Sequence, residues 1–155
     1  MTAVLFVCTG NICRSPMAEA LLKDRLATHG QSDIAVESAG IFANEAQAPP
    51  LEAQAVGAEF GIDLAASRSR RFDRDKDFER FTHLIAMDES HLDFMKAVQP
   101  AQSAASVDLL RDRRARVISV PDPYGRKPRH YRRAWSLIEA GVDVLFEQLE
   151  QQARA

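Results

Sequence analysis

A short apolar run, Ala3-Val4-Leu5-Phe6-Val7, gives way at once to Cys8-Thr9-Gly10-Asn11-Ile12-Cys13-Arg14-Ser15-Pro16, and a helical pattern follows without a gap. Few folds accommodate that succession. An uninterrupted apolar run is a strand covered on both faces, which a parallel sheet between helix layers provides. Pro16 lies in a first helical turn, where a missing N–H is harmless. From Met17 to Thr28 the residues Ala18, Leu21, Leu22 and Leu26 share one broad face, and Gly30 suits a left-handed cap.

The rest of the chain alternates in the same way. Ile34 to Glu37 reads as a second strand, and Pro49-Pro50 opens a helix that runs through about Phe60 and ends at Gly61. The charged stretch from Ser67 to Phe81 is weakly patterned, with a short helix near Asp75 to Glu79. Thr82 to Met87 is a third strand, Glu89 to Val98 a helix stopped by Pro100, and Gln102 to Ala105 a loop. Arg116 to Val120 reads as the fourth strand, broken by Pro121 and Pro123. The last helix spans about Tyr131 to Glu150, where Tyr131, Ala134, Trp135, Ile138, Val142, Leu145 and Leu149 form a stripe. The expectation is one α/β domain over residues 1–155, with a four-stranded parallel twisted sheet and helices on both faces.

Composition removes several classes. Lys plus Arg number 20 against 22 Asp plus Glu, a net charge of −2, which is not the basic footprint of a nucleic-acid binder. No apolar run approaches the ~18 residues of a membrane span. Neither a basic leader nor a small-residue cleavage site precedes Ala3. Cys8 and Cys13, the only two cysteines, are too few and too close for a disulfide scaffold. The expected setting is the cytoplasm, with no membrane and no nucleic-acid partner.

Parallel sheets bind ligands beyond the C-terminal ends of their strands. Cys8 onward, Ser38-Ala39-Gly40, Asp88 and Asp122 are therefore expected to converge on one rim. A five-residue loop between Cys8 and Arg14 can curl its N–H groups inward as an anion nest. The helix behind it adds free donors and the positive end of its dipole. Gly10 and Asn11 tolerate the positive φ of such a curl. Thr9, Gly10, Asn11, Ile12, Cys13, Arg14 and Ser15 together make a phosphate loop. Arg14 offers two parallel donors to two phosphate oxygens. The same field favours thiolate over thiol at Cys8, and Ser15 is placed to donate to it. Such a thiolate beneath a bound phosphate is a nucleophile. A cysteine after an apolar strand is also common core filler, and the full string tips the reading towards chemistry.

The departing oxygen needs a proton, and Asp122, stiffened by Pro121 and Pro123, is the candidate acid. Tyr124 can wall a flat substrate ring or be an ordinary loop tyrosine. Ser38 can bond Asn11 and hold the loop's shape, and Asp88 reads as the cap of the helix starting near Glu89. Cys13 serves equally as a redox partner for Cys8 or as a small core residue. The four histidines, His29, His83, His91 and His130, show no metal-ligand spacing, so no cofactor is implied. The runs Arg111 to Arg116 and Arg126 to Arg133 read as solvated faces, the second placed to steer acidic substrates.

The string from Val7 to Pro16, with Ser38-Ala39-Gly40, Met87-Asp88-Glu89-Ser90 and Asp122-Pro123-Tyr124, resembles the low-molecular-weight protein tyrosine phosphatases over nearly the whole chain. The resemblance implies a metal-free phosphatase with Cys8 as nucleophile, Arg14 as phosphate clamp and Asp122 as acid and then base. It also implies Asn11, Ser15 and Ser38 as supports and Cys13 as redox partner. A phosphotyrosine-bearing protein is the implied substrate, a tyrosine kinase among the candidates. Three positions depart from the family pattern. Ser67 stands for a common histidine, Asn44 for a wall aromatic that Phe42 can replace, and Gly125 for a second aromatic. The alternatives are an arsenate reductase-like thiol enzyme, which would need further cysteines, a non-catalytic phosphate-binding regulator and a thiol redox sensor.

Overall fold

The computed structural model describes residues 1–112 and 114–155. Strand β1 (Ala3–Cys8) is buried along its whole length because helices cover both of its faces. Side chains alternate along a strand, so each face of β1 feeds its own core. Val4 and Phe6 point into one cluster with Met17, Leu21, Tyr131, Trp135 and Ile138. Leu5 and Val7 point into the other with Phe78, Phe81, Leu92 and Met95. Helices α1 (Arg14–Thr28), α2 (Leu51–Glu59) and α5 (Pro128–Arg154) therefore lie on one side. Helices α3 (Arg74–Arg80) and α4 (Glu89–Val98) lie on the other.

With β2 (Ala35–Gly40), β3 (His83–Ala86) and β4 (Ser106–Leu109), the four strands are ordered β2-β1-β3-β4 and are all parallel. The chain goes from β1 to one neighbour and then returns to the other side, so the order reverses at β1. The Cys8 loop leaves the sheet at that reversal. None of the described helices is long and apolar enough to cross a membrane.

Two strands differ from the sequence reading, and α5 extends beyond the expected Tyr131 and Glu150 at both ends. The fourth strand is Ser106–Leu109 and not Arg116–Val120. Ser106-Val107-Asp108-Leu109 is an edge strand with Asp108 exposed, a pattern too short to stand out. The apolar Val117-Ile118 pair instead belongs to a loop, tied to the sheet end through Val120 N–H donating to Met87 O at 2.9 Å. Strand β2 also continues through Ser38-Ala39-Gly40, small residues of low strand propensity that pair in register with Phe6-Val7-Cys8. Arg113 lies outside the described residues, so the Arg111 to Arg116 run is seen only in part. Arg111 is no solvated cation: its guanidinium donates to Val117 O at 2.9 Å and Leu137 O at 3.2 Å.

The stripe of α5 is buried from Tyr131 to Leu149, with Trp135, Ile138 and Val142 wholly enclosed. At Gly141 the helix passes so close to the end of β4 that a Cβ would lie 2.6 Å from Leu110 Cγ and 3.0 Å from Leu110 O. Gly141→Ala should therefore cost about 1–3 kcal/mol of stability, read as a lower urea midpoint, although alanine is the better helix former.

Candidate active site

Asn11 is the residue on which the loop turns. It has φ 55°, the left-handed region, and Gly10 does not share it. Its side chain makes three hydrogen bonds: Nδ2 donates to Ser15 Oγ and to Ser38 Oγ, each at 2.9 Å, and Oδ1 accepts from Arg70 N–H at 2.9 Å. That network assigns the protons. Ser38 gives its own hydroxyl proton to Glu19 Oε1 at 2.6 Å. Ser15 already accepts from Asn11, so its O–H is free to donate to Cys8 Sγ, 2.9 Å away. Asn11 N–H donates to the same sulfur at 3.2 Å. Cys8 Sγ thus meets two donors at the end of β1.

The helix behind the loop is left open for an anion. Asp73 caps α3 and Asp88 caps α4, yet no side chain caps α1 and no acid sits in its first turn. Among the described residues, the N–H groups of Gly10, Ile12 and Cys13 find no acceptor within the chain. Gly40 makes room for this curl, since a Cβ there would lie 2.6 Å from Thr9 O and 2.9 Å from Asn11 N.

Arg14 is buried although charged, and its Nη1 is held by Asp88 Oδ2 at 2.9 Å and Val120 O at 3.0 Å. Nη2 lies 3.7 Å from Asp122 Oδ2. Asp122 is half-exposed and accepts from Tyr124 N–H at 3.1 Å. Burial pushes the Asp88 carboxyl up, but the Ser90 hydroxyl, His91 and the Arg14 cation outweigh it and hold Asp88 below the ordinary range. Asp88 is thus both the helix cap and the seat of Arg14.

A cavity of about 270 Å³ opens above Cys8 and Arg14, with Ile12, Phe42, Asn44, Gln47, Asp122 and Tyr124 around its mouth. Phe42 and Tyr124 are 75% and 59% exposed. Cys13 also touches it, and burial, with Asp122 and Cys8 nearby, pushes its thiol up to about 12. No group of three His, Cys, Asp or Glu among the described residues is arranged to hold a metal.

Four participants escaped the sequence reading. Glu19 is one. Arg70 is the second: its guanidinium clamps the buried Asp77 with two 3.0 Å bonds, fixing the backbone whose N–H reaches Asn11. Asp77, the third, also accepts from Asp73 N–H at 2.8 Å. Ser67, where the resemblance leads one to expect a histidine, makes no side-chain bond to the loop, and Asn11 Oδ1 accepts from Arg70 N–H. The fourth is His91, 2% exposed, whose Nε2 lies 2.8 Å from Thr9 Oγ1. Its Nδ1 lies 3.1 Å from Asp88 Oδ1, out of line for a hydrogen bond. A proton on Nδ1 avoids opposed lone pairs, so Nε2 accepts from the Thr9 hydroxyl.

Burial pushes the His91 imidazole down from 6.5 to about 4, against the pull of Asp88. Between those values the unfolded chain binds a proton that the folded chain refuses, so stability rises with pH across that window. On acidification from pH 6.5 to 4 the protein should lose up to about 3 kcal/mol on this account. Asp88 contributes only below its ordinary 3.8 and does not overlap. Denaturant unfolding against pH should show that slope in the wild type and a flatter one in His91→Gln. Equal slopes would contradict it.

Comparison with known proteins agrees with this geometry. The family model for low molecular weight phosphotyrosine protein phosphatase matches residues 3–155. The protein-tyrosine-phosphatase PtpA of Staphylococcus epidermidis is 34% identical over 154 residues, 99% of this chain and 97% of its own. A solved low molecular weight phosphotyrosine phosphatase from Vibrio cholerae has a TM-score of 0.89 at 30% identity, covering 98% of this chain and 99% of that one. The YwlE arginine phosphatase of Geobacillus stearothermophilus has a TM-score of 0.83 at 32% identity, covering 98% and 95%. With a match along nearly the full chain to the family model and to these relatives, this protein belongs to the low molecular weight protein-tyrosine-phosphatase family of enzymes.

Proposed function

We propose that the chain hydrolyses phosphotyrosine monoesters through a cysteinyl-phosphate at Cys8. The observation that carries this reading is the pair of donors, Ser15 O–H and Asn11 N–H, converging on Cys8 Sγ beneath an uncapped helix start. Phosphoryl oxygens take the free N–H groups of Gly10, Ile12 and Cys13 and the Nη2 edge of Arg14, whose Nη1 is already fixed. Sγ attacks phosphorus in line, the ester P–O bond breaks, and Asp122 gives its proton to the departing phenolate. Asp122, now ionised, takes a proton from a water whose oxygen attacks phosphorus; the P–S bond breaks, freeing phosphate and restoring the thiolate.

Phe42 and Tyr124 supply apolar walls for an aryl ring, with Ile12 beneath them. They support an aromatic ester over a phosphorylated guanidinium, which offers no apolar face of that kind. An arsenate reductase would need a cysteine beyond Cys13, and the sequence has none. The substrate class is a protein carrying phosphotyrosine, a tyrosine kinase among the candidates. A cytoplasmic setting belongs to the same reading, because a reducing compartment keeps the free Cys8 and Cys13 apart.

Purified protein, without metal and with a reductant, should release phosphate from phosphotyrosine peptides and not from phosphoarginine peptides. The reverse preference would overturn the substrate assignment. Cys8→Ser should abolish turnover while the protein still binds phosphate. Asp122→Ala should lower kcat by about 10²–10⁴-fold on phosphotyrosine and less on p-nitrophenyl phosphate, whose leaving group needs less protonation. An unchanged kcat on phosphotyrosine would remove Asp122 from the acid role.

A further inference from the structure

The run from Arg126 to Arg133 follows the acid loop and takes no part in the steps above. Gly125, at φ 74°, turns the chain, and Arg126 N–H closes the turn on Pro123 O at 3.0 Å. Arg126 and Lys127 therefore stand directly beyond Tyr124, and α5 begins with Arg129, Arg132 and Arg133 in its first turns. No Asp or Glu occurs from Pro123 to Ile138. Arg132 is paired, with Glu59 on α2 at 2.9 Å. Arg126, Lys127, Arg129 and Arg133 are exposed and make no ion pair with the described residues.

Stability does not explain that placement. The start of a helix is the positive end of its dipole, where cations are unfavourable, and α5 carries no acid in its first turn. A solvated helix face mixes its signs; this one does not. His130 registers the result. After burial, the fields of Arg126, Arg129, Lys127 and Arg133 hold its imidazole below the ordinary range. Across the mouth the surroundings differ: Asn44 and Gln47 are neutral, and the Glu45 carboxylate accepts from Arg71 N–H at 2.9 Å.

We propose that this patch docks acidic side chains flanking the phosphotyrosine, so that the enzyme selects acidic phosphopeptides. The inference rests on the phosphatase reading and narrows its substrate class. A tyrosine ring held against Tyr124 leaves its neighbours in the substrate chain next to the Gly125 turn. At roughly 3.5 Å per extended residue, two or three substrate positions lie within reach of the long cationic side chains. That continuity with the aromatic wall favours a polypeptide over a membrane or a nucleic acid as the anionic partner.

The test uses two phosphotyrosine peptides, one with Asp and Glu around the tyrosine and one with Asn and Gln in their places. The acidic peptide should show about tenfold higher kcat/KM at low salt, mainly through KM, and the gap should close at high salt as the field is screened. The combined variant Arg126→Gln, Lys127→Gln, Arg129→Gln should lose the preference and keep its turnover of p-nitrophenyl phosphate. Equal kcat/KM for the two peptides, or a preference that survives in the variant, would overturn the proposal. Patch-dependent sedimentation with phosphatidylserine vesicles, without any peptide preference, would overturn it too and assign the surface to a membrane. A wild type inert on p-nitrophenyl phosphate would instead fail the phosphatase reading itself.

Discussion

The side-chain amide of Asn11 is the interaction on which the site depends. A loop that aims its N–H groups inward leaves most of them without a backbone acceptor, so side chains must hold its shape. Asn11 does this with three bonds: both amide protons go to Ser15 and Ser38, and Oδ1 accepts from Arg70 N–H. Each bond reaches a different element, the start of α1, the end of β2 and the segment ahead of α3. A non-glycine residue at φ 55° is sparsely populated on its own and persists because the surroundings over-determine it.

The same logic holds Arg14 in place. A buried guanidinium without partners would be severely unfavourable, and Asp88 and Val120 O both meet its Nη1. Asp88 is fixed in turn as the cap of α4, and Val120 by its bond to Met87 O. Asp88 and the Met87 carbonyl that holds Val120 lie just beyond the end of β3, so the sheet's own geometry places the Arg14 guanidinium. The Cys8 loop and the Arg14 guanidinium are thus held in place by the fold itself.

What the sequence revealed, and what it hid, follows from the range of each signal. The β1 run, the stripe of α5 and the Cys8 to Pro16 loop are local patterns and were legible. So was Asp88 as a cap, since its partner is only three residues away. The fourth strand was not. Val117-Ile118 is more apolar than Ser106-Val107-Asp108-Leu109, and only pairing with β3 selects the second. Arg70, Asp77, Glu19 and His91 were missed because their bonds run to residues distant in the chain or sit within a charge-rich stretch. Thr9 and His91 are 82 residues apart in sequence. Arg111 shows the same effect in reverse, a cation in a charge run that in fact caps backbone carbonyls.

The central claim is covalent: the loop built by Asn11 makes Cys8 the atom that carries the phosphoryl group. Rapid acid quenching of the protein during turnover of a phosphotyrosine peptide, followed by peptide mass spectrometry, tests it directly. The account predicts a mass increment of one phosphoryl group on the fragment containing Cys8, rising and decaying with turnover. Steady phosphate release with Cys8 unmodified at every quench time, or a phosphoryl group trapped on another residue, would contradict it.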